Sequence, residues 1–361
     1  MGLNYPEKST SCTFKQATQP SILESTLGDT WYDTTNQILY IFNGISWKKF
    51  IGNYGSCSIN YGCVFGGLTG TVITNKIETY QFDLDGRKNL QKTLLYPSYR
   101  GSACNSSKES YLFNGMATID GNTYNRITRI NYNFEASIED YVANTPGISP
   151  GVSFGSSFNS SLHGFCCGGQ VHNSTTFYSF IHRIGFSNPS GENAIVGNLS
   201  MTKYQGAGLN SSTHGYDCGG STSDGTHLKY INRLGFPFDS GTATNVGQSV
   251  NALFSGGYNS SLHGFMNSIQ SYIEKITFPH NAGTFTTTRG CQTSRMFYAG
   301  MNSSINGYAL GGLIIGTTQT SSVEKIIFPF NSGTSNYEMS LSENKDKTMG
   351  SDITDFNHQF V

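Results

Sequence analysis

The stretch His214-Gly215-Tyr216-Asp217-Cys218-Gly219-Gly220 recurs along the chain at a regular spacing. A close copy is His163-Gly164-Phe165-Cys166-Cys167-Gly168-Gly169. Weaker copies begin at Tyr61, Glu109, His263 and Asn306, and a fragment begins at His358. Successive starts lie 43 to 54 residues apart. A repeat of this length that contains only strand patterns is typical of a β-propeller or a solenoid.

One repeat unit contains four strand-like segments separated by turns. Around the quoted stretch, these segments span residues 203–209, 214–218, 230–236 and 242–246. Each segment is followed by Gly, Asn, Ser or Pro, which favour turns. Four strands per unit correspond to one blade of a propeller. The sequence therefore predicts an all-β fold, a β-propeller of four-stranded blades.

The number of starts predicts the number of blades. Six complete units are followed by the truncated start at His358, so we expect seven blades, one of them shared between the chain ends. An open ring would leave unpaired N–H and C=O groups at two sheet edges. The C-terminus offers strands at about residues 348–353 and 356–361, and the N-terminal hairpin offers residues 38–42 and 47–51. We expect these N-terminal strands to pair with the C-terminus in the closing blade.

A second repeated phrase, represented by Ile231-Asn232-Arg233-Leu234-Gly235-Phe236, predicts the third strand of each unit. Its third position is cationic in five units, at Arg129, Arg183, Arg233, Lys275 and Lys325. These side chains could line an anion-binding channel. Repetition in nearly every unit instead favours one hydrogen bond between blades per repeat, with the aliphatic stem packed on an aromatic ring.

Histidines recur at the first position of the quoted stretch, at His163, His214, His263 and His358. One interpretation is a ring of ligands for a metal or a small molecule. A zinc site needs three or four ligands converging at about 2.0–2.2 Å, whereas a propeller spreads equivalent residues around a circle. We therefore favour hydrogen bonds at strand ends or between blades, and we expect no metal or other cofactor.

The composition argues against several classes of protein. Charged residues make up 12% of the chain and the net charge is −1, with no basic block, so nucleic-acid binding is not expected. No apolar run approaches the length of a membrane span, and the N-terminal residues lack a secretory-signal pattern. None of the eight cysteines shows the CxxC spacing of a zinc site. Three of them replace aliphatic residues in the repeated strand, which predicts free core thiols and a reducing cytoplasm.

Catalytic motifs are also missing, and we expect no enzyme activity. The sequence contains neither Gly-x-Ser-x-Gly nor His-Glu-x-x-His, and Ser223-Asp224-Gly225-Thr226 lacks one residue of the sialidase Asp-box. Binding residues are expected in irregular loops, because specific contacts need chemistry that differs between blades. The candidate loops span residues 68–74, 118–124 and 221–227. The candidate residues in the last two are Thr118, Asp120, Asn122, Tyr124, Ser223, Asp224 and His227.

The N-terminal region differs from the repeats. Residues 1–27 are polar and predict an arm, and residues 28–51 predict an aromatic hairpin with Asn43-Gly44 at its turn. The hairpin resembles a module of tailed-bacteriophage structural proteins, G-D-x-W-x-D-x5-L-Y-x-x-N-G-x-x-W. The matching residues are Gly28, Asp29, Trp31, Asp33, Leu39, Tyr40, Asn43, Gly44 and Trp47.

Residues 52–361 resemble Kelch repeats, in which a double glycine follows the second strand of each blade. The Kelch Tyr and Trp downstream of the glycines are not both present. Kelch-like blades of phage and environmental sequences, H-G-[YF]-x-x-G-G…I-x-R-[LIF]-x-[FY]-P-F, match better. This resemblance implies a propeller over the repeated part of the chain.

Together the resemblances imply a structural or adhesive component of a tailed-phage virion, such as a tail or head appendage, assembled in the host cytoplasm. Other virion proteins would bind the N-terminal arm, and a host surface protein or glycan would be the receptor. No nucleic acid and no membrane insertion are expected. The alternative is a cellular Kelch-type adaptor that binds a protein partner. Genes for capsid or tail proteins next to this one would favour the first interpretation.

Overall fold

The computed structural model describes residues 14–26, 29–35, 38–42, 45–49, 61–82, 86–113, 115–117, 122–123, 125–132, 139–146, 151–171, 174–250, 256–267, 271–288, 290–314 and 318–352. The regular structure of these residues consists of strands, so the predicted all-β class is confirmed. The chain divides into two compact units, Met1–Ile59 and Asn60–Val361.

The first unit contains one four-stranded sheet. Its strands, in spatial order, are Phe14–Gln16, Thr30–Asp33, Ile38–Phe42 and Trp47–Lys49, and the first two are parallel. Its core is aromatic: Trp31, Phe42 and Trp47 are buried together. The indole N–H of Trp31 donates to the Gln16 carbonyl oxygen (3.0 Å), and that of Trp47 donates to the Pro20 carbonyl oxygen (3.2 Å).

These contacts correct the predicted boundary of the arm. A buried indole needs an acceptor for its N–H group, and the backbone of residues 16 and 20 supplies both acceptors. Residues 14–20 therefore belong to the aromatic unit. Residues 1–13 lie outside the described residues.

The second unit contains six four-stranded sheets, numbered here along the chain, with a first strand that is innermost and a fourth that is outermost. Sheet 1 comprises Met349–Asp352, Tyr61–Phe65, Lys76–Gln81 and Gly86–Thr93. Sheet 2 comprises Ser102–Asn105, Glu109–Phe113, Ile127–Asn131 and Glu139–Ala143. Sheet 3 comprises Ser156–Asn159, His163–Val171, Phe177–Gly185 and Asn193–Asn198, with the short strand Val152–Ser153 added beside the second.

The remaining sheets follow the same order. Sheet 4 comprises Ala207–Asn210, His214–Cys218, Tyr230–Gly235 and Thr244–Gln248. Sheet 5 comprises Gly257–Asn259, His263–Asn267, Ile273–Thr277 and Thr286–Thr288. Sheet 6 comprises Ala299–Asn302, Asn306–Leu310, Ser322–Ile327 and Asn336–Ser340. Smaller sheets pair Leu68–Thr69 with Val72–Ile73, pair Met116–Ala117 with Asn122–Thr123, and join Arg295–Met296, Leu313–Ile314 and Thr318–Gln319.

The first strands of the six sheets follow one another in a cycle. Each first strand lies beside that of the next sheet, and the first strand of sheet 6 lies beside that of sheet 1. The second unit therefore has six such sheets among the described residues, and the start of the predicted seventh, at His358, lies outside them.

The predicted closing blade is also corrected. Met349–Asp352 pairs with Tyr61–Phe65 in antiparallel register, Met349 opposite Phe65 and Asp352 opposite Gly62. The two ends of the repeat region thus meet in sheet 1, while the N-terminal hairpin pairs within its own unit. The reason is the position at which each sheet begins: its first strand comes before the copy of the quoted stretch. Sheet 1 has no such strand before Tyr61–Phe65 among the described residues, and the C-terminal strand takes that place. His358 lies outside the described residues.

Aromatic stacking between sheets explains the repeated motifs. The third residue of the quoted stretch stacks on the last residue of the third-strand phrase in the next sheet, as in Tyr216–Phe278, with ring centroids 5.3 Å apart. The equivalent pairs are Tyr111–Phe186, Phe165–Phe236, Phe265–Phe328 and Tyr308–Phe82. The preceding glycine makes room for a first-strand side chain of the previous sheet, because a Cβ atom on Gly215 would lie 2.2 Å from the ring of Phe158 in sheet 3.

Candidate binding site: the axial channel

The six first strands enclose a space of about 160 Å³, the axial channel, which residues from all six sheets line. One register position in these strands holds only small residues, at Ala103, Ser157, Gly208, Gly257, Gly300 and Gly350. Neighbouring strands approach too closely there for larger ones. A Cβ atom on Gly257 would lie 2.4 Å from the Gly208 carbonyl oxygen, and one on Gly300 would lie 2.2 Å from that of Gly257.

At one end of the channel, a chain of backbone hydrogen bonds links successive sheets. Phe154 N donates to Arg100 O (2.6 Å), Gln205 N to Phe154 O (2.8 Å), Arg100 N to Lys347 O (3.0 Å) and Lys347 N to Phe297 O (2.8 Å). We call these five residues the αL ring, because each has a φ between 53° and 63°. They precede the first strands of sheets 6, 1, 2, 3 and 4. The segment before sheet 5, residues 251–255, lies outside the described residues.

The αL ring is a site of backbone strain. The left-handed conformation costs a residue other than glycine about 1–2 kcal/mol. Glycine has a positive φ without this cost. Gly219 and Gly220, the last two residues of the quoted stretch, have φ of 64° and 103°. The ring instead carries two Phe, an Arg, a Lys and a Gln. Strain of this kind clusters at ligand sites, which suggests that these side chains have a role.

Two of the ring's side chains meet across the channel. Phe154 and Phe297 come from sheets three apart in the cycle, and their ring centroids lie 5.9 Å apart. The Arg100 guanidinium lies 4.5 Å from the Phe154 centroid, and the Lys347 ammonium lies 5.7 Å from the Phe297 centroid. Burial lowers the pKa of Arg100, and Lys347 Nζ lies 3.2 Å from Asp346 Oδ2. This end of the channel is therefore largely apolar, with its cations stacked on rings or paired.

The other end of the channel carries carboxamides, which we call the amide ring. They are the last residues of the first strands in sheets 2 to 6, Asn105, Asn159, Asn210, Asn259 and Asn302, and Asp352 occupies the same register position in sheet 1. Asn210 N donates to Asn259 Oδ1 (3.1 Å), and Asn259 N donates to Asn302 Oδ1 (3.0 Å). A backbone N–H can only donate, so these contacts identify which atom is the oxygen in the amide groups of Asn259 and Asn302.

Asn159 is the clearest donor of the amide ring. It is 6% exposed, it lines the channel, and its Nδ2 has no hydrogen-bond partner among the described residues. In contrast, Asn259 Nδ2 donates to Asn210 Oδ1 (3.4 Å). Leaving a buried donor unpaired costs about 1–3 kcal/mol. A ligand with an acceptor atom at this end of the channel would remove that cost.

The predicted histidines do not converge. His163, His214 and His263 begin the second strands of sheets 3, 4 and 5. His163 Nε2 lies 3.6 Å from Glu192 Oε2, and His214 Nδ1 lies 2.8 Å from Thr213 Oγ1. Burial lowers the pKa of all three, so the neutral imidazole is favoured at pH 7. Among the described residues, no three His, Cys, Asp or Glu side chains are grouped to hold a metal ion.

The cationic positions lie between sheets or within them, away from the channel lining. Arg183 donates to Asp239 and to the Phe238 carbonyl oxygen of sheet 4 (3.2 Å). Arg233 and Lys275 likewise reach Asn281 and Asn331 in the next sheets. The pairs Arg129–Asp140 (3.0 Å) and Lys325–Glu338 (3.0 Å) lie within sheets 2 and 6.

A set of buried ion pairs was missed in the sequence analysis. Their carboxylates lie at the second position of the third-strand phrase, or opposite that position on the second strand. Glu78 pairs with Lys345, Glu324 pairs with Arg295, and Asp217 Oδ2 lies 2.7 Å from Lys203 Nζ. All six side chains are at most 3% exposed. Burial would raise the pKa of Glu78, but Lys345 and hydrogen bonds hold it below its ordinary value. The available signal was a carboxylate between apolar residues in a strand, as in Tyr216-Asp217-Cys218.

The candidate loop residues that the structure describes stabilise their own turns. Asp224 Oδ1 accepts a hydrogen bond from Thr226 N (3.0 Å), and hydrogen bonds from Thr222 and Thr226 lower the pKa of Asp224 to about 2. His227 Nδ1 lies 2.9 Å from Ser221 Oγ. Ser223 lies in the same exposed turn. Because Ser221 pairs with Tyr204, next to Gln205, this loop lies beside the αL ring.

The other candidate loops are described in part. Asn122 pairs with Ala117 in a two-stranded hairpin, while Thr118, Asp120 and Tyr124 lie outside the described residues. The six cysteines that the structure describes are buried. No helix in the described part of the chain could span a membrane.

Comparisons with known proteins bear on the fold. No family model matches the chain, and no curated protein matches it in sequence. A solved structure titled "Structure of YjhT" is similar, with a TM-score of 0.61 and 11% sequence identity, over 77% of this chain and 98% of that chain. At this identity the likeness shows a shared fold.

Proposed function

We propose that the second unit is a six-bladed β-propeller with sheets 1 to 6 as its blades. Three observations support this proposal: the four-stranded order of every sheet, the cyclic order of the first strands, and the pairing of Met349–Asp352 with Tyr61–Phe65 across the chain ends. The pairing gives Tyr61–Phe65, from the first repeat, a partner strand from the end of the repeat region. A propeller avoids an exposed strand edge at the junction of its chain ends in this way.

We propose that this propeller is the recognition part of a tailed-phage virion component, acting by binding without catalysis. The axial channel is the observation that carries the binding role, because it combines strained aromatic and cationic residues with a buried amide donor, Asn159. Virion membership is supported by the resemblance of the first unit to phage modules. The aromatic core around Trp31 and Trp47 gives that unit a rigid body for contacts with other virion proteins.

Mass spectrometry of purified phage particles tests virion membership. The account predicts peptides of this chain in particles after density-gradient purification, at a constant ratio to the capsid protein. Their absence from particles, together with their recovery in a complex with a cytoplasmic protein, would favour the Kelch-type adaptor instead.

A further inference from the structure

We propose that the axial channel binds one terminal pyranose ring of a neutral glycan. This inference rests on the proposed recognition function and names its ligand. The ligand would enter at the amide ring, with its apolar face toward the rings of Phe154 and Phe297 at the far end of the channel.

The size of the channel limits the ligand to a small group. Its volume is about 160 Å³, whereas sites for drug-sized ligands are larger, at about 300–1,000 Å³. The walls at the level of Gly208, Gly257 and Gly300 are backbone, so they cannot retract by changing rotamers. One ring of a sugar fits this limit better than a folded peptide segment.

The polar groups of the channel favour hydroxyl groups. Asn159 Nδ2 requires an acceptor. The backbone carbonyl oxygens of the same lining can only accept hydrogen bonds, and a hydroxyl group is both a donor and an acceptor. A ligand that carries several hydroxyl groups can therefore satisfy the amide ring, whereas a purely apolar ligand would leave Asn159 unpaired.

The charges in the channel favour a neutral ligand. Lys347 is paired with Asp346, and Arg100 is stacked on Phe154 and on the Tyr99 ring, 4.9 Å away. Because both cations are already engaged within the protein, the channel favours a neutral sugar over an anion.

The proposal is tested by titrating the full-length chain with methyl glycosides of neutral hexoses and following saturation-transfer NMR signals. N-acetylneuraminic acid and an aspartate-rich peptide serve as the anionic arms. We expect at least one neutral glycoside to bind, and we expect the anionic probes not to bind. Binding of an anionic probe alone, or of none of the probes, would overturn the proposal.

Variants locate the site. Asn159→Leu removes the Nδ2 donor with little change in side-chain volume and removes no hydrogen bond within the described protein, so the fold should persist; we expect an affinity loss of about tenfold or more, as for one buried hydrogen bond. Asn144→Leu, in an exposed loop between sheets 2 and 3, is the matched control and should bind as wild type. Equal binding by both variants would place the sugar elsewhere. Retained binding of the chain to host cells with no sugar bound would leave the recognition function standing and remove only this inference.

Discussion

At the scale of single residues, the αL ring places large side chains at the channel and loses some folding stability, because its residues are not glycine. Gln205 has a φ of 63°, and its backbone N donates to Phe154 O. Glycine would keep that hydrogen bond and relieve about 1–2 kcal/mol of strain, partly offset by about 0.4–1 kcal/mol from the greater freedom of the unfolded chain. We therefore expect Gln205→Gly to be neutral or stabilising by up to about 1.6 kcal/mol. Thermal denaturation checks this, with Gln205→Ala as a control that keeps the strain; a clear loss of stability in Gln205→Gly alone would contradict it.

The buried pair of Glu78 and Lys345 should show the opposite behaviour. Glu78→Gln leaves the Lys345 ammonium buried without its counter-charge, and breaking such a pair costs about 3–5 kcal/mol. The matched control is Glu343→Gln, which removes a surface pair with Lys76, whose side chain is 50% exposed, and should cost less than about 1 kcal/mol. Chemical denaturation measures both. Equal losses would show that burial of the Glu78 pair contributes nothing.

The same pair predicts a pH dependence. The pKa of Glu78 is lower in the folded protein than its ordinary value of 4.5. Its contribution to stability is therefore fully present above that ordinary value and is lost as the pH falls through the lowered folded pKa. The difference in stability between wild type and Glu78→Gln should shrink over this acidic range. A difference that stays constant with pH would rule out the proposed linkage.

At the scale of structural elements, the stack between Tyr216 and Phe278 joins sheets 4 and 5. The Tyr216 hydroxyl oxygen also accepts a hydrogen bond from His280 N at 2.9 Å. Tyr216→Phe keeps the stack and leaves that donor unpaired, so it should cost about 1–3 kcal/mol. Phe278 is partly buried, so Phe278→Ala, which removes the stack, should cost about 2–4 kcal/mol, below the range for a fully buried phenylalanine. Calorimetry of both variants ranks the two contributions, and the reverse order would refute the assigned role of the aromatic pair.

The repeated motifs made the second and third strands of each sheet predictable from sequence. They did not show that each sheet begins one strand earlier. The stretch from His214 to Gly220 and the phrase from Ile231 to Phe236 mark the second and third strands correctly, because their alternation and glycines act locally. The first strands carry small residues such as Gly208 and Gly257, which have no hydrophobic pattern. Their partners across the chain ends were therefore misassigned.

The candidate site was harder to predict from sequence than the strands. The αL ring requires knowledge of φ, and Phe154 and Phe297 are 143 residues apart in sequence. Asn and Ser favour turns in a sequence, and the asparagines of the amide ring do precede Ser-based turns. In one of them, Ser211 Oγ accepts a hydrogen bond from His214 N at 3.1 Å. Their arrangement around one channel follows only from the cyclic order of the sheets.

At the scale of the whole molecule, the strand Met349–Asp352 closes the cycle. Deleting residues 349–361 would leave one edge of Tyr61–Phe65 without its partner strand and open the channel between sheets 6 and 2. We expect that truncated protein to aggregate or to melt far below the full-length chain. Deleting residues 353–361 alone removes no described strand and is the matched control. An equally stable, monomeric protein lacking residues 349–361 would show that closure does not depend on this strand.

The most direct test of the central claim is host-cell binding by the full-length chain and by variants of the axial channel. Fluorescently labelled wild type, Asn159→Leu, Phe154→Gly and the exposed control Asn144→Leu would be compared on the host strain by flow cytometry, after confirming that each is folded. The account predicts saturable binding by wild type and Asn144→Leu, and a loss of about tenfold or more for both channel variants. Unchanged binding by folded Asn159→Leu and Phe154→Gly would contradict recognition through the channel.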